Sequence, residues 1–406
     1  MKRARGKGLL VAWGDSVVGR LQHTGPIYFT YDRTWLEGGH NLSPLLLPFD
    51  DRAHNILAEG CHGLPGFIAD ALPDAWGSRV AEAVFARNGW GAVTPMKLLA
   101  WIGDRAPGAL SFQPTLEKED TAESLLGRIT AERLAQQAED ILRGRPEEIA
   151  AIAAAGGSAG GAHPKALVVE HADGTLSLSR TPGQAGDRPS LLKLGLAEQP
   201  SVRIEHAYME MARSAGIAVP PFRLVEGAAR VHLLIERFDW IEGRRLHLHS
   251  LSGLLHRPKA GLDYSDLFRT AARLGQSQET VAEIARRLLF NLYAANNDDH
   301  GRNHAFLYDR ATASWRLAPA FDLTYAPGVL SRGLTIAGEV RPGAETLTAF
   351  LGSAALSQAV VRELCDQVLQ AIARWPSFAQ RAGVSDIKIT EIAATHRQLL
   401  DRIGRP

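Results

Sequence analysis

The first part of the chain alternates apolar and polar residues, a pattern typical of β-structure. The alternation runs from residue 9 to about residue 31 and is interrupted at Trp13-Gly14-Asp15, which predicts a β-hairpin or meander. From residue 66 to residue 88 apolar residues recur at helical spacing with a break at Pro73, so we expect an interrupted helix. The other elements predicted for this part are a helix at about 95–102 and a strand at 108–113.

The middle of the chain mixes helical and strand patterns. Residues 121–143 and 147–155 have apolar side chains at roughly helical spacing, and a domain boundary is expected near residue 120. Short apolar segments then predict successive strands, followed by a helix that contains Glu205 and by a strongly apolar strand. The three strands are expected at 166–170, 176–178 and 190–194, the helix at 202–215 and the last strand at 231–239.

The last part of the chain is predicted to be mostly helical. Apolar residues recur on one face of the helices expected at 264–274 and 278–295. The remaining predicted elements are a short hairpin at 305–308 and 314–317 and two helices at about 357–375 and 385–403. A chain of this length is expected to form two or three domains.

The composition narrows the class of protein without identifying its chemistry. The 45 Lys+Arg and 44 Asp+Glu residues give a formal net charge of +1, so the chain has no overall basic field for nucleic acid. Its two cysteines, Cys61 and Cys365, lack the number of a disulfide framework and the spacing of a zinc site, which fits a reducing cytosol. Only a short apolar run follows the basic residues 1–7, so we expect neither a signal peptide nor a membrane span and predict a cytoplasmic protein.

A glycine-rich segment precedes the first strand of the middle part. Four glycines occur within residues 156–161, and glycines allow backbone N–H groups to approach a phosphate closely. The same composition is also typical of a flexible linker. Gly161 is followed by Ala162-His163 and not by Lys-Ser/Thr, so the Walker pattern is absent and a P-loop NTPase is disfavoured.

A lysine within a predicted strand is the next chemical signal. Lys193 follows Leu191-Leu192, and burial of an ammonium group is costly unless the group meets an anion. A nucleotide phosphate would supply that anion, whereas a lysine on an edge strand would extend to solvent. The strand that ends at Glu236-Arg237-Phe238-Asp239 has the form expected of a strand leading to an adenine-binding hinge, or of an ordinary core strand.

The densest group of reactive side chains lies in residues 296–303. Asp298 and Asn303 stand five residues apart, which is the spacing between the base and a metal ligand in the catalytic loop of protein kinases. Asp299 does not fit that spacing and is expected to have a supporting role. Asp322 lies between hydrophobic residues, where a kinase has a second metal-binding aspartate.

In this order the parts resemble the HipA serine/threonine kinases, toxin components of bacterial type II toxin–antitoxin systems. The resemblance covers nearly the whole chain. It rests on two segments typical of the family's N-terminal lobe, 63–77 and 102–110, and on four kinase motifs at 157–165, 235–239, 297–303 and 317–322. The implied fold is α+β, two-lobed and protein-kinase-like, with a small β-rich N-terminal subdomain and a mostly helical C-terminal lobe. The implied domains are 1–118, 119–240 with the glycine-rich loop, lysine strand and hinge, and 241–406 with the catalytic loop.

The resemblance also implies roles for individual residues. Asp298 would be the catalytic base, Asn303 and Asp322 the Mg²⁺ ligands, and Lys193 the lysine that binds the phosphates of ATP. The other implied ATP contacts are Gly160, Gly161, Ala162, His163, Pro164 and Lys165 in the loop, Glu236, Arg237 and Phe238 at the hinge, and His300, Gly301, Arg302 and Phe321. Ser158 lies where HipA-like kinases phosphorylate themselves and thereby switch off. Arg302 and His163 stand where relatives often have Lys and Gln, and these departures bear on substrate preference and nucleotide affinity.

Partners follow from the same resemblance. A HipB-like helix-turn-helix protein would be the antitoxin and would supply most contacts to operator DNA, while the substrate would be a protein such as an aminoacyl-tRNA synthetase, the glutamyl enzyme by analogy. ATP and Mg²⁺ are the implied cofactors, and no membrane is implied. Two alternatives stay open: a small-molecule kinase of the aminoglycoside-phosphotransferase type, and a non-catalytic pseudokinase that docks an antitoxin on operator DNA.

Overall fold

The computed structural model describes residues 8–116, 127–145, 149–155, 161–178, 182–196, 201–328 and 333–406. The predicted loop residue Gly160, the predicted autophosphorylation site Ser158 and the predicted domain boundary after residue 118 lie outside these ranges. Within them, no helix is long and apolar enough to cross a membrane.

The start of the chain forms the meander that its alternation predicts. The strands β1 (Leu9–Trp13), β2 (Ser16–His23) and β3 (Ile27–Tyr31) pair antiparallel in sequence, and β4 (Leu110–Gln113) adds to the other side of β1. Around this sheet lie α1 (Arg33–Glu37), α2 (Gly66–Ala69), α3 (Ala75–Asn88) and α4 (Pro95–Ile102). The helix predicted at 66–88 with a break at Pro73 is confirmed as α2 and α3, because proline has no N–H for a helical bond.

A six-stranded antiparallel sheet forms the next part, in the order β5-β7-β6-β8-β10-β9. Its strands are β5 (Arg128–Ile129), β6 (Lys165–Glu170), β7 (Leu176–Ser177), β8 (Arg188–Lys193), β9 (Phe222–Glu226) and β10 (Val231–Glu236), and its helices are α5 (Ala131–Leu142), α6 (Ala150–Ala154) and α7 (Ser201–Ser214). The three predicted strands before residue 195 are confirmed. The helix predicted from residue 121 is wrong at Arg128–Ile129, which pairs with β7, and Thr130 caps α5 by accepting a hydrogen bond from the N–H of Arg133.

The rest of the described chain is mostly helical, as predicted. Its helices are α8 (Leu251–Leu254), α9 (Tyr264–Arg273), α10 (Gln278–Tyr293), α11 (Ala344–Ser353), α12 (Gln358–Ala373), α13 (Trp375–Arg381) and α14 (Asp386–Ile403). Its strands are β11 (Trp240–Ile241), β12 (Arg244–Arg245), β13 (His247–Ser250), β14 (Ala305–Asp309) and β15 (Ser314–Leu317). The predicted hairpin is confirmed as β14 and β15, and β13 extends it to three strands.

Two large apolar cores hold these elements together. The first joins the N-terminal subdomain to the six-stranded sheet, with Phe29 and Trp76 in the same cluster as Leu134 and Leu192. The second lies in the helical part and is built around residues such as Leu288. A sheet-rich lobe therefore sits against a helical lobe, and the two-lobed α+β fold is confirmed.

Candidate active site

Two buried lysines face each other across β6 and β8, where Lys165 is paired with Lys193 in the strand register. The ammonium of Lys193 donates to Glu205 of α7 at 2.5 Å and forms an ion pair with Asp322. Burial opposes the charge on Lys193, but Asp322 and Glu205 outweigh burial and raise the pKa of this lysine. Lys193 is therefore held in its charged form. For Lys165, burial is the larger effect and lowers the pKa.

Asp322 supplies an ionised carboxylate at a fixed position. Burial would raise its pKa, yet the charges of Lys193 and Lys165 hold the pKa well below its usual range. Its backbone is left-handed, with φ of 53°, a conformation uncommon outside glycine and frequent at functional sites. Two residues earlier, the N–H of Ala320 donates to the carbonyl of Ala218 at 2.8 Å and fixes the segment.

The segment after α10 separates the two neighbouring aspartates. Asn303 donates its amide N–H to the backbone carbonyl of Asp298 at 2.8 Å, which closes the loop. The side chain of Asp298 is 31% exposed, and its Oδ1 lies 3.9 Å from Nε2 of His300. Asp299 instead points inward, where it accepts hydrogen bonds from Tyr264 at 2.6 Å and Asn291 at 3.3 Å. This division supports the base role for Asp298 and the supporting role for Asp299.

The predicted hinge follows β10 and is tied to the N-terminal subdomain. Phe238 packs against Phe321 with ring centroids 5.5 Å apart. The guanidinium of Arg237 pairs with both carboxylate oxygens of Asp239, at 2.9 and 2.6 Å, and Asp239 also accepts the N–H of Gly108 at 2.6 Å. The side chain of Arg237 is therefore bound within the protein.

Arg245 strengthens this connection, and sequence reasoning missed it. Its guanidinium donates to the backbone carbonyls of Gly108 at 2.7 Å, Ala106 at 2.6 Å and Asp104 at 3.1 Å. Burial lowers the pKa of Arg245 to about 10, with a further contribution from Arg237, so the group keeps its charge at neutral pH. The loop at 104–108 is thereby held against the hinge.

The end of the glycine-rich loop lies over the lysines. Gly161 has φ of 98°, and a Cβ on it would come within 2.7 Å of Nζ of Lys165, so both the backbone and the space favour glycine. His163 lies 2.8 Å from the carbonyl oxygen of Leu194. Burial, and then the charge of Lys193, lower the pKa of His163 to about 4, so its imidazole is neutral and adds no positive charge.

Arg302 lines the cleft but contacts the N-terminal subdomain. It forms an ion pair with Asp74 and donates to the carbonyls of Ala69 at 3.2 Å, Asp70 at 3.4 Å and Leu72 at 3.2 Å. Sequence reasoning gave Asp74 no role, although the residue belongs to the segment 63–77 on which the family resemblance rests. The contact of Arg302 with ATP stays a prediction.

A cleft that is partly open to solvent lies between these elements. Of the predicted ATP contacts, those that line it are Lys165, Lys193, Glu236, Arg237, Phe238, Arg302, Asn303, Phe321 and Asp322. The described residues Gly161, Ala162, His163, Pro164, Asp298, His300 and Gly301 lie outside this lining. The structure thus brings together the lysine, hinge and metal-ligand predictions in one cleft.

The donors present fit a magnesium ion. Asp322 is ionised, and Asn303 uses its amide nitrogen for Asp298, which leaves the amide oxygen as an acceptor in the same cleft. The described residues contain no group of three or more His, Cys, Asp or Glu side chains that could hold a metal. Mg²⁺ usually binds through one or two carboxylates, waters and substrate phosphates, so Asp322 and Asn303 would supply a suitable protein share of its ligands.

Comparison with known proteins gives consistent results. Residues 9–113 match the family model described as HipA N-terminal domain, and residues 157–375 match the one described as HipA-like C-terminal domain. A Sinorhizobium fredii protein provisionally named as a kinase, Y4mE, is 27% identical over 341 residues, which cover 78% of this chain and 76% of that protein. A second protein of that organism with a similar name, Y4dM, is 31% identical over 137 residues, or 29% of this chain and 32% of its own length.

The fold has a counterpart among solved structures. A chain from the Shewanella oneidensis MR-1 complex of HipA, HipB and operator DNA superposes with a TM-score of 0.71 over 97% of this chain and 96% of that chain. The two sequences are 22% identical, so this likeness shows a shared fold.

Proposed function

Because the chain belongs to the HipA family of kinases, we propose that it is an ATP- and Mg²⁺-dependent protein serine/threonine kinase that acts as the toxin of a type II toxin–antitoxin system in the cytoplasm. The observation that carries the proposal is the buried ion cluster of Lys193 with Glu205 and Asp322 at one end of the cleft. The lysine–glutamate pair and the adjacent metal-binding aspartate are the parts that a kinase must assemble before phosphoryl transfer.

In this proposal ATP lies along the cleft, with the adenine at the hinge and the phosphates at the lysines. Leu191, Leu248 and Phe321 provide apolar surface near the hinge, which suits an adenine ring, and the main-chain groups of Glu236 and Phe238 would bind its edge. Lys165 and Lys193 would meet the phosphates. Mg²⁺ held by Asn303 and Asp322 would neutralise charge on the phosphates.

Asp298 is the residue that we assign to proton transfer. In the proposed reaction a serine or threonine hydroxyl of the substrate attacks the γ-phosphorus, the bond from phosphorus to the bridging oxygen of ADP breaks, and the hydroxyl proton passes to the Asp298 carboxylate. The side chain is exposed enough to meet a protein substrate, and the Asn303 bond to its backbone carbonyl keeps it in place.

The test is phosphate transfer from γ-labelled ATP by the wild type and by Asp298→Asn. Loss of a general base typically costs about a hundred- to ten-thousandfold in rate, and we expect that loss with Mg-ATP binding retained in calorimetry. Asp15→Asn, in the exposed turn between β1 and β2, is the matched control. Transfer at the wild-type rate by Asp298→Asn would refute the mechanism, and absence of Mg-ATP binding by the wild type would favour a non-catalytic binding module.

The partners and substrate extend the same proposal. A small helix-turn-helix antitoxin that supplies most operator-DNA contacts agrees with the net charge of +1, and co-purification with the product of the adjacent open reading frame tests it. An aminoacyl-tRNA synthetase is the protein class to test first as substrate, beside an aminoglycoside panel that would detect a small-molecule kinase. Mass spectrometry after incubation with ATP tests phosphorylation of Ser158.

A further inference from the structure

The segment that joins α2 to α3 is fixed at the edge of the cleft by contacts with the helical lobe. The carboxylate of Asp70 lies 2.7 Å from Nδ1 of His249 and accepts the backbone N–H and hydroxyl of Ser250 at 2.7 and 2.6 Å. Gly66 packs so closely on Gly253 that an added Cβ would lie 1.9 Å from the Gly253 carbonyl oxygen. The path of this segment is therefore set by contacts that do not involve Asp74.

From that fixed segment, Asp74 reaches two other parts of the site. One carboxylate oxygen forms the ion pair with Arg302, which directly precedes the predicted metal ligand Asn303. The other oxygen accepts the backbone N–H of Gly161 at 3.1 Å, at the end of the glycine-rich loop. A single carboxylate thus joins the catalytic loop to the loop that would cover the phosphates.

Two residues further along, Trp76 adds to the contact with the end of the glycine-rich loop. The backbone N–H of Trp76 donates to the carbonyl of Gly161 at 3.1 Å, and its indole N–H donates to the carbonyl of Lys165 at 3.0 Å. The first turn of α3 is therefore bonded to both ends of the segment 161–165.

The side chain of Asp74 makes these contacts and does not cap its own helix. It is the N-cap residue of α3, yet its side chain makes no capping hydrogen bond, although aspartate at that position normally stabilises a helix in this way. Burial would raise the pKa of Asp74, but the charge of Arg302 holds it below its usual value. An ionised carboxylate that leaves its cap position for two loop contacts points to a role in the site.

We propose that Asp74 is a positioning residue for phosphoryl transfer: it holds the catalytic loop, through Arg302, and the glycine-rich loop, through Gly161, at fixed positions relative to each other. The inference rests on the proposed kinase function and assigns part of that function to the N-terminal subdomain. Asp74 contacts other protein groups and is not assigned to the reacting atoms. Its removal therefore acts on how well the phosphates and the base are aligned.

The test compares Asp74→Asn with Asp74→Glu. Asn has nearly the same shape but lacks the charge, so the Arg302 ion pair is lost and the bond to the Gly161 N–H is weakened. Misplacement of reacting groups by about 1 Å costs about a hundredfold, so we expect kcat to fall about 10- to 100-fold in Asp74→Asn, with a smaller change in KM for ATP. Asp74→Glu keeps the charge and should recover part of kcat.

A second measurement does not need activity. Hydrogen exchange at the Gly161 amide, followed by mass spectrometry of overlapping peptides, should become faster in Asp74→Asn than in the wild type. Asp50→Asn is the matched control, because Asp50 belongs to the same subdomain and pairs with its own arginine, Arg52, outside the cleft lining. Neither kcat nor Gly161 exchange should change in that variant.

The outcomes separate the two proposals. If the wild type neither binds Mg-ATP nor transfers phosphate, the proposed kinase function fails, and faster Gly161 exchange in Asp74→Asn still supports the link between the loops. If the wild type is active and Asp74→Asn keeps its kcat and its Gly161 exchange, the positioning role is overturned. If Asp74→Asn unfolds, Asp74→Glu is compared with a folded Asp74→Ala variant. Equal kcat values for these two variants would also overturn the positioning role.

Discussion

Asp299→Asn should make the stability of this protein less dependent on pH. Asp299 is buried next to the proposed catalytic base, and burial raises its pKa to about 7, although hydrogen bonds from Tyr264 and Asn291 oppose the shift. In the unfolded chain the same carboxyl has a pKa of about 3.9. The folded state therefore binds the proton more tightly than the unfolded state between these values.

The sign and size of the effect of Asp299 on stability follow from the linkage between proton binding and folding. A pKa that is raised on folding gives a contribution to stability that is fully present below about pH 4 and is lost as the pH rises through about 7. Between pH 5 and pH 8 the loss amounts to roughly 2–3 kcal/mol, because each pKa unit corresponds to about 1.4 kcal/mol. Asn cannot ionise, so Asp299→Asn should escape that loss, whatever its constant effect on packing.

The measurement is the thermal midpoint of both proteins at pH 5 and pH 8. The midpoint of Asp299→Asn relative to wild type should rise by about 3 °C between the two pH values for a chain of this length. Tyr264→Phe is the companion variant: it removes the 2.6 Å hydrogen bond that favours the carboxylate. The folded-state pKa of Asp299 should therefore rise further, and the loss of stability should extend to a higher pH than in the wild type. An equal difference between Asp299→Asn and wild type at both pH values would show that Asp299 does not titrate as described.

Two further substitutions test contacts that position the cleft. Arg245→Ala leaves three backbone carbonyls without their donor, so it should lower the free energy of unfolding by about 2–4 kcal/mol and weaken ATP binding. Loss of the exposed ion pair of the adjacent Arg244 should cost about 1 kcal/mol or less. Equal effects of the two substitutions in urea unfolding would contradict the role of Arg245 in holding the loop at 104–108. Gly66→Ala forces α2 away from Gly253 and should lower the free energy of unfolding by at least about 1–3 kcal/mol. Gly352→Ala, at an open position of α11, is the control and should leave stability unchanged or raise it. A wild-type thermal midpoint for Gly66→Ala would refute the close contact.

The sequence predicts elements that depend on local interactions more accurately than elements that depend on contacts between distant residues. The helix expected at 278–295 is found at Gln278–Tyr293, with Ser277 as its cap, because helix periodicity and capping are local properties. The strand β13 was not predicted, since His247 and His249 look polar in the sequence but lie buried in a strand that forms by pairing with β14. Arg128–Ile129 was predicted as helix for the same reason, since its strand exists only through β7.

The residues of the candidate site show the same contrast between local patterns and distant contacts. The predictions for Asp298, Asn303, Lys193 and Asp322 rest on spacing and on the order of the motifs, which a sequence displays directly. Asp74 was not found, because its partner Arg302 lies 228 residues away and nothing local to either residue marks the pair. The segment containing Asp74 is one of those on which the family resemblance rests, and the structure adds a physical reason for its residues.

The N-terminal subdomain therefore belongs to the cleft more closely than the two separate family matches suggest. It contacts the end of the cleft that is proposed to hold the phosphates through Asp74, and the hinge end through the loop at 104–108, which Arg245 holds. Its apolar core is also continuous with that of the six-stranded sheet. A ligand or partner that shifts this subdomain would move both ends of the proposed ATP site at once.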